Sequence, residues 1–392
     1  MDSLDLATTS ATEVARAIRD REVSPTEVMQ ATIERVERVN PAVNALVHKA
    51  FDEAMTRAAE ADQQVALGRE LGPLHGVPTA IKDLFEFKPG WPATLGGIPA
   101  LRDHTVDATC VWAQRMEAAG AIIIGKTNAP VLGFRGTTDN PLFGPTSTPF
   151  DLGRNAGGSS GGAAAAVASG MLPFAEGTDV GGSVRIPAAW CGVVGFKQSW
   201  GRVPVVPRPN AFGGTNPFGF EGVLTRSAED LGTMLAVLSG PDPRDPYARS
   251  DRFDDIDAHQ RGINGLRVAY SPDFGGFPVE PRVREVVDSA VAALEQAGAV
   301  VEQVGTPLPR DQFQIGELWC RLVAPRNLFV LDRLAVDGID LLAAHRDQLP
   351  GQLLRYVDEA TRMTVRDFEA LQVARTEVFD FVQSFLPRTT CS

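Results

Sequence analysis

Between Asn155 and Cys191 the chain reads NAGGSSGGAAAAVASGMLPFAEGTDVGGSVRIPAAWC, which sets two serines, Ser159 and Ser183, in separate glycine cradles. Glycine at 157, 158, 161 and 162, and again at 181 and 182, lets the backbone take unusual dihedrals and come close to another group. Consecutive N–H groups in such turns converge on an anion. A serine held there is a candidate nucleophile with an oxyanion hole beside it. Between the cradles, AAAAVASG has high helix propensity and closes on Gly170, and MLPFA reads as a short buried strand. Loop, helix, strand and loop then bring the second serine back toward the first.

Composition matters here for what it excludes. With 392 residues, 44% hydrophobic and 22% charged, the chain has room for one large core or two domains. A net charge of -12 disfavours nonspecific binding to nucleic acid or to an anionic membrane. Cys110, Cys191, Cys320 and Cys391 are far apart, with no C-x-x-C spacing, which argues against a zinc site or a disulfide framework and for a reducing, cytoplasmic setting. No signal-peptide pattern opens the sequence, and no apolar run reaches the roughly 18 residues of a membrane span. No metal or cofactor site and no nucleic-acid or membrane partner is expected on these grounds, and a homodimer is allowed as the assembly.

Toward the N-terminus, Ser24-Pro25-Thr26-Glu27 is a capping box that starts a helix, and a second, alanine-rich helix spans about Phe51 to Leu67. HGVPTAIKDLFEF follows as an extended apolar segment that delivers Lys82 and Asp83. A surface ion pair is one reading of that lysine. The other is a dry pocket, where an amine loses its proton more easily and acts as a general base. Val106 to Ala119 reads as a helix and Ala121 to Ile124 as a strand.

Two motif matches test poorly against their mechanisms. Gly120 to Thr127, GAIIIGKT, fits the phosphate-loop expression and makes a nucleotide-binding protein the rival from another class. The letters between its glycines spell a strand, where the mechanism needs a loop. Ser159 and Ser160 both fit G-x-S-x-G, yet the histidines downstream, His259 and His345, sit in polar surroundings unsuited to a catalytic base. Without a histidine the serine needs another base, and lysine is the established substitute.

Taken together, Lys82 in GVPTAIKD, Ser159 in GGSSGG and Ser183 in GTDVGGSVRIPAAWCG resemble the amidase signature family, including its spacing of 24 between the serines. The resemblance runs from about Ser10 to Leu386 and takes in NPLFGPTSTPFDLGRNAGGSSGG and GVVGFK. It implies Ser183 as acyl nucleophile, Ser159 as bridging serine with a cis peptide bond, and Lys82 as neutral base. It also implies an oxyanion hole from the N–H groups of Val180, Gly181, Gly182 and Ser183, a placement that suits successive donors before and at a nucleophile. Asp179 and Arg185 are expected to pair and stiffen the turn, and Ser160 either supports the cradle or is only its neighbour.

Beyond Lys197 a loop rich in proline, glycine and phenylalanine makes Phe212, Phe218 and Phe220 candidates for an apolar substrate pocket, with ordinary loop packing as the competing reading. Ser227 caps a helix to about Leu238, and Leu266 to Val304 reads as strand, helix, strand. Helices follow over Phe313–Leu334, Leu341–Gln348, Leu353–Met363 and from Val365. Trp319 and Cys320 are pocket candidates there, against a default of core packing.

The fold expected is α/β, a mixed central β-sheet covered by helices, as one domain over 1–392. N-terminal helices occupy about 10–68, a catalytic core about 72–240 and a variable helical region about 305–386. The activity expected is amide hydrolysis through a serine acyl-enzyme. No dedicated carboxylate-binding arginine is assignable, which favours an apolar or aryl amide over a small dicarboxylic one. The alternatives are a hydrolase of cyclic or oligomeric amides or carbamates, and the glutaminase component of a tRNA-dependent amidotransferase. Family members run several tens of residues past the point where this sequence ends in FLPRTTCS. A missing sheet strand, lowered stability and activity, and an incidental thiol at Cys391 are the expectation that follows.

Overall fold

A computed structural model describes residues 5–213, 219–305 and 308–386. Within them the chain clusters into two compact units, one comprising the residues up to His259 with Gly338–Pro350, the other Gln260–Asp337 and the residues from Gly351 on.

In the first unit, side chains that satisfy orphan N–H groups decide where helices begin. Ser10 and Glu13 form a capping box on α1 (Ala11–Arg19), and Ser24 and Glu27 form on α2 (Pro25–Val43) the one the sequence predicts. The remaining free donors of α1, Ala11 and Thr12 N–H, are met at 3.0 and 2.9 Å by the Asp230 carboxylate. Then come β1 (Leu46–Lys49), α3 (Phe51–Ala66), β2 (Pro78–Lys82), α4 (Val111–Ala118) and β3 (Ile122–Thr127). A short hairpin, β4 (Ser147–Thr148) and β5 (Asp151–Asn155), leads into α5 (Gly161–Ala168). β6 (Phe174–Asp179), α6 (Arg185–Cys191), β7 (Val194–Phe196), β8 (Phe220–Thr225) and α7 (Ala228–Leu238) follow.

The strands form two three-stranded ladders. In the first, β3 lies between antiparallel β1 and parallel β2; in the second, β8 lies between antiparallel β6 and β7. β2 and β6 run side by side, with the Thr79 hydroxyl donating to the Phe174 carbonyl at 3.1 Å. This α/β arrangement of mixed sheet and covering helices places Lys82 beside the strand that leads to Ser183. Alanines fill the space because little is available: Gly161 through Val167 of α5 are all buried.

Two local readings change, and a third is extended. The strand expected over MLPFA starts only at Phe174 and runs on to Asp179, because Gly170 (φ +69°) turns the chain and the Met171 N–H still bonds back to Ala166. Pro173 has no N–H to give a ladder. α4 starts at Val111, five residues later than read, since Cys110 N–H is drawn to the Phe87 carbonyl and Thr105 bridges to Pro92. The phosphate-loop letters lie within strand: β3 continues through Gly125, Lys126 and Thr127, and the buried Lys126 ammonium is held by Asp83 Oδ1 at 3.1 Å and the Pro92 carbonyl at 2.8 Å. A loop wrapping phosphates is thereby ruled out at this position.

The second unit contains β9 (Arg267–Tyr270), α8 (Pro281–Gln296) and β10 (Val300–Gln303), a strand-helix-strand unit with its strands parallel. α9 (Gln312–Val336) starts from an Asp311–Gln314 capping box. In chain order α10 (Leu341–Ala344) belongs to the first unit, and α11 (Gly351–Ala360) and α12 (Val365–Phe385), with its Thr364–Asp367 box, to the second. Among the described residues no helix is long and apolar enough to cross a membrane.

The tightness of α5 is open to a direct check. A Cβ at Gly162 would stand 2.3 Å from the Asn128 backbone nitrogen and 2.6 Å from the Ala45 carbonyl oxygen. Gly162→Ala is expected to cost about 1–3 kcal/mol of stability, read from urea unfolding midpoints. An unchanged midpoint would mean that α5 moves aside freely.

Candidate active site

β2 carries Lys82 into a place without water: the side chain is 0% exposed. Its Nζ donates to three hydroxyls, Ser159 Oγ at 2.8 Å, Ser160 Oγ at 2.9 Å and Thr178 Oγ1 at 2.8 Å. Among the described residues no carboxylate touches the amine. Burial pushes the Lys82 pKa down to about 8, against the opposing pull of Glu176, Glu86 and Asp179. A lysine so placed is neutral in a useful fraction of molecules near neutral pH, and a neutral amine takes a proton from the hydroxyl it faces.

The first cradle holds two of those hydroxyls. The Gly158–Ser159 peptide bond is cis, as the family resemblance implies. Gly157 has φ +78°, and a Cβ at Gly158 would fall 2.7 Å from the Thr137 backbone, so only glycine fits there. Ser160 proves to be more than a neighbour. Its hydroxyl accepts from Lys82, and its N–H donates to the Ser183 carbonyl at 3.0 Å, joining the two cradles.

Asp179, at the end of β6, organises the second cradle. It accepts from Gly182 N–H at 2.7 Å and Val184 N–H at 3.3 Å, and both Nε and one terminal nitrogen of Arg185 meet it at 2.9 Å. Burial opposes ionisation of Asp179, but the Arg185 and Gly182 hydrogen bonds outweigh it and hold the carboxyl below its usual range. The pairing expected from sequence is thus present in the geometry. Its consequence for the oxyanion hole emerges only in the fold: the Gly182 N–H is committed to Asp179. Among the described residues, the N–H groups of Gly181 and Ser183 make no hydrogen bond, and Gly181 lies at the surface.

The Ser183 hydroxyl, half-buried, likewise makes no hydrogen bond among the described residues. The structure therefore unites Lys82, Ser159, Ser160 and Thr178 directly, and Ser183 through its backbone. Hydrogen bonds between catalytic groups commonly tighten only with substrate in place. Thr178 carries no motif signal of its own, although its position two residues after Glu176 puts it on the strand face that meets β2.

Of the pocket candidates, Phe220 opens β8 as the cross-strand partner of Asp179, with the Lys197 ammonium 3.6 Å from its ring centroid. Phe212 is 64% exposed and stands edge-on to Tyr247. Phe218 lies outside the described residues. Trp319 and Cys320 are on α9 of the second unit, both partly buried. His345 meets Gln348 at 3.4 Å, and the His259 side chain lies outside the described residues. Among the described residues no group of three or more His, Cys, Asp or Glu is arranged to hold a metal ion.

Comparison with known proteins gives the same direction. The Amidase family model matches residues 27–356. An acylamidase of Rhodococcus erythropolis is 38% identical over 96% of this chain and 76% of its own length. The solved structure of a bacterial aryl acylamidase of the amidase signature family superposes with a TM-score of 0.94, at 42% identity, over 97% of this chain and 78% of that one. One component of the glutamyl-tRNA(Gln) amidotransferase of Acidothermus cellulolyticus is 39% identical over 77% of this chain, which spans 59% of that component's length.

Because the folded Asp179 has a lowered pKa, the stability it contributes is present above its unfolded pKa and lost as pH falls through the folded value. Asp179→Asn is expected to lower the unfolding midpoint at pH 7, with the deficit against wild type shrinking as pH drops below about 4. A deficit constant between pH 7 and pH 3 would show that ionised Asp179 is not what binds the turn.

Proposed function

The chain belongs to the amidase signature family and is a hydrolase acting on amide C–N bonds; from that premise we propose that its substrates are apolar or aryl amides, cleaved through a Ser183 acyl-enzyme with Ser159 and Lys82. One observation carries the reading: an amine shut away from water, 2.8 Å from the hydroxyl of a serine in a glycine cradle.

In this mechanism neutral Lys82 takes the proton of Ser159, and Ser159 takes that of Ser183 as the Ser183 oxygen attacks the amide carbon. The oxygen of the tetrahedral intermediate gains charge facing the N–H groups of Gly181 and Ser183. When the C–N bond breaks, the proton returns through Ser159 to the leaving amine; water then attacks the acyl carbon, giving a proton through Ser159 to Lys82, and that proton returns to the Ser183 oxygen as the acid leaves. Asp179 and Arg185 hold the turn, and Ser160 and Thr178 hold the amine. Phe220, beside Asp179, offers an apolar face for the acyl or aryl group, and the similarity to an acylamidase and an aryl acylamidase supports that class.

A second reading, glutaminase within a tRNA-dependent amidotransferase, draws on the similarity to a component of such an enzyme. Release of ammonia from glutamine, with aryl amides untouched, would favour it. The free thiols at Cys110, Cys191 and Cys320 support a reducing, cytoplasmic location.

Because the triad acts as a unit, Ser183→Ala and Lys82→Ala are each expected to lower kcat by several orders of magnitude, on the order of 10³ or more, with the double variant little worse. Additive losses would separate the two residues. A fluorophosphonate is expected to label the peptide containing Ser183, more slowly in Lys82→Ala; label on Ser159 would reverse the roles. Activity is expected to rise with pH through about 8, the value to which burial brings Lys82. An acid optimum would contradict a neutral-lysine base.

A further inference from the structure

Three buried glutamates are left unused by this mechanism: Glu176 and Glu86 act on Lys82, and Glu221 acts on Glu176. Glu176, Glu86 and Glu221 are 0%, 2% and 8% exposed. Each has a buried carboxyl oxygen without a hydrogen bond among the described residues: Glu176 Oε1, Glu86 Oε2 and Glu221 Oε2. One unpartnered buried carboxyl is already costly, so three that act on one another next to a buried lysine need a reason.

Glu176 touches the machinery. Its Oε2 accepts the backbone N–H of Lys82 at 2.7 Å, while Thr178, two residues on along the same strand face, accepts from Lys82 Nζ at 2.8 Å. β6 thus grips the lysine at both ends, and Glu221 stands opposite Thr178 in the β6–β8 ladder.

We propose that Glu176 is a positioning residue for Lys82, fixing its backbone and, with Glu86 and Glu221, forming a buried acid cluster whose charge decides how readily the lysine gives up its proton. The proposal rests on the reading of Lys82 as the general base.

The groups facing Glu176 are few. β2 contributes Lys82, β8 contributes Glu221, the segment after β2 contributes Glu86, and Cys110 borders α4, its thiol pushed up by burial and by the three carboxyls. Asp179 is on the same strand, already paired with Arg185, and α5 contributes no titratable side chain. Lys126 acts on Glu86. Burial raises all three acids, Glu176 further through Glu86, and Glu221 to about 8. Lys82 and Glu221 are thus both brought to about 8, and Glu176 and Glu86 are moved up from the ordinary carboxylate range toward them. Each carboxylate formed near Lys82 favours its ammonium, so the lysine and the cluster titrate as one system, and the rise of activity with pH is broader than a single ionisation.

The full chain has five lysines, so selective 15N labelling of their amines gives a spectrum simple enough to follow Lys82 Nζ with pH. Glu176→Gln keeps an oxygen for the Lys82 N–H but cannot ionise. It is expected to move both the Lys82 titration and the rising limb of kcat/KM to lower pH by about one unit and to narrow them. Glu86→Gln, which disturbs no contact with the Lys82 backbone, is expected to shift both the same way by less, and it decides the matter if Glu176→Gln does not fold. Glu176→Ala, which also removes the acceptor, is expected to lower plateau kcat about tenfold or more below that of Glu176→Gln. Titrations and limbs coincident with wild type in the glutamine variants would overturn the proposal, as would Glu176→Gln as slow as Glu176→Ala. If the Lys82 titration moves and the activity limb does not, the coupling stands and the reading of Lys82 as base falls.

Discussion

An amine in a dry pocket facing three hydroxyls is the constraint on which the catalytic half of the structure depends. A bare ammonium there would be costly, and the protein does not place a carboxylate in contact to relieve it. Instead it supplies neutral oxygens from two directions: Ser159 and Ser160 from the start of α5, and Thr178 from β6. For those oxygens to converge, β2 and β6 must lie side by side and α5 must begin against β2. The glycines of the first cradle, the alanine-filled helix and the edge-to-edge meeting of two ladders all serve that convergence.

Lys126 shows what the alternative looks like. It too is a lysine at the end of an apolar run, and it is as buried as Lys82, at 1% exposure. Yet its ammonium meets Asp83, which also accepts the Thr94 hydroxyl, and so it serves as a structural ion pair between β3 and the end of β2. A carboxylate in contact favours the charged amine, whereas hydroxyls accept a hydrogen bond without adding charge. Lys82, the last residue of β2, and Asp83, the next in the chain, thereby enter two different environments. The sequence pattern GKT at Gly125 points to the wrong lysine, because letters do not show which partner a buried amine meets.

Much of the site is legible in the sequence because its signals are local. Glycines that crowd a serine announce a backbone where no side chain fits, and Gly158 and Gly162 prove to have neighbours at 2.7 and 2.3 Å from where a Cβ would stand. Capping boxes at Ser24 and Thr364 locate helix starts to the residue, since both partners lie three positions apart. What escapes is set by tertiary pairing. α6 has only seven residues, contains Pro187 and has no capping side chain, so nothing in its sequence signals a helix. β1, four residues between two helices, is a strand because β3 pairs with it. That Asp179 binds Arg185 is readable from the letters, and only the folded turn reveals that it also takes the Gly182 N–H.

The true start of β6 has the largest consequence for reading function. Taken as MLPFA, the strand ends at Ala175, and the residues after it belong to a loop with no facing rule. Taken as Phe174–Asp179, it obeys the two-residue alternation of a strand, and its successive side chains acquire separate tasks. Glu176 and Thr178 face β2 and hold the lysine by backbone and by amine; Asp179, at the strand end where the chain turns, holds the loop of the nucleophile. Lys82 and the loop of Ser183 are thus positioned by neighbouring residues of one short strand. A shift of one residue in its register against β8 would turn Glu176 and Thr178 away from Lys82 together, so the β6–β8 pairing is part of the catalytic geometry as much as of the core.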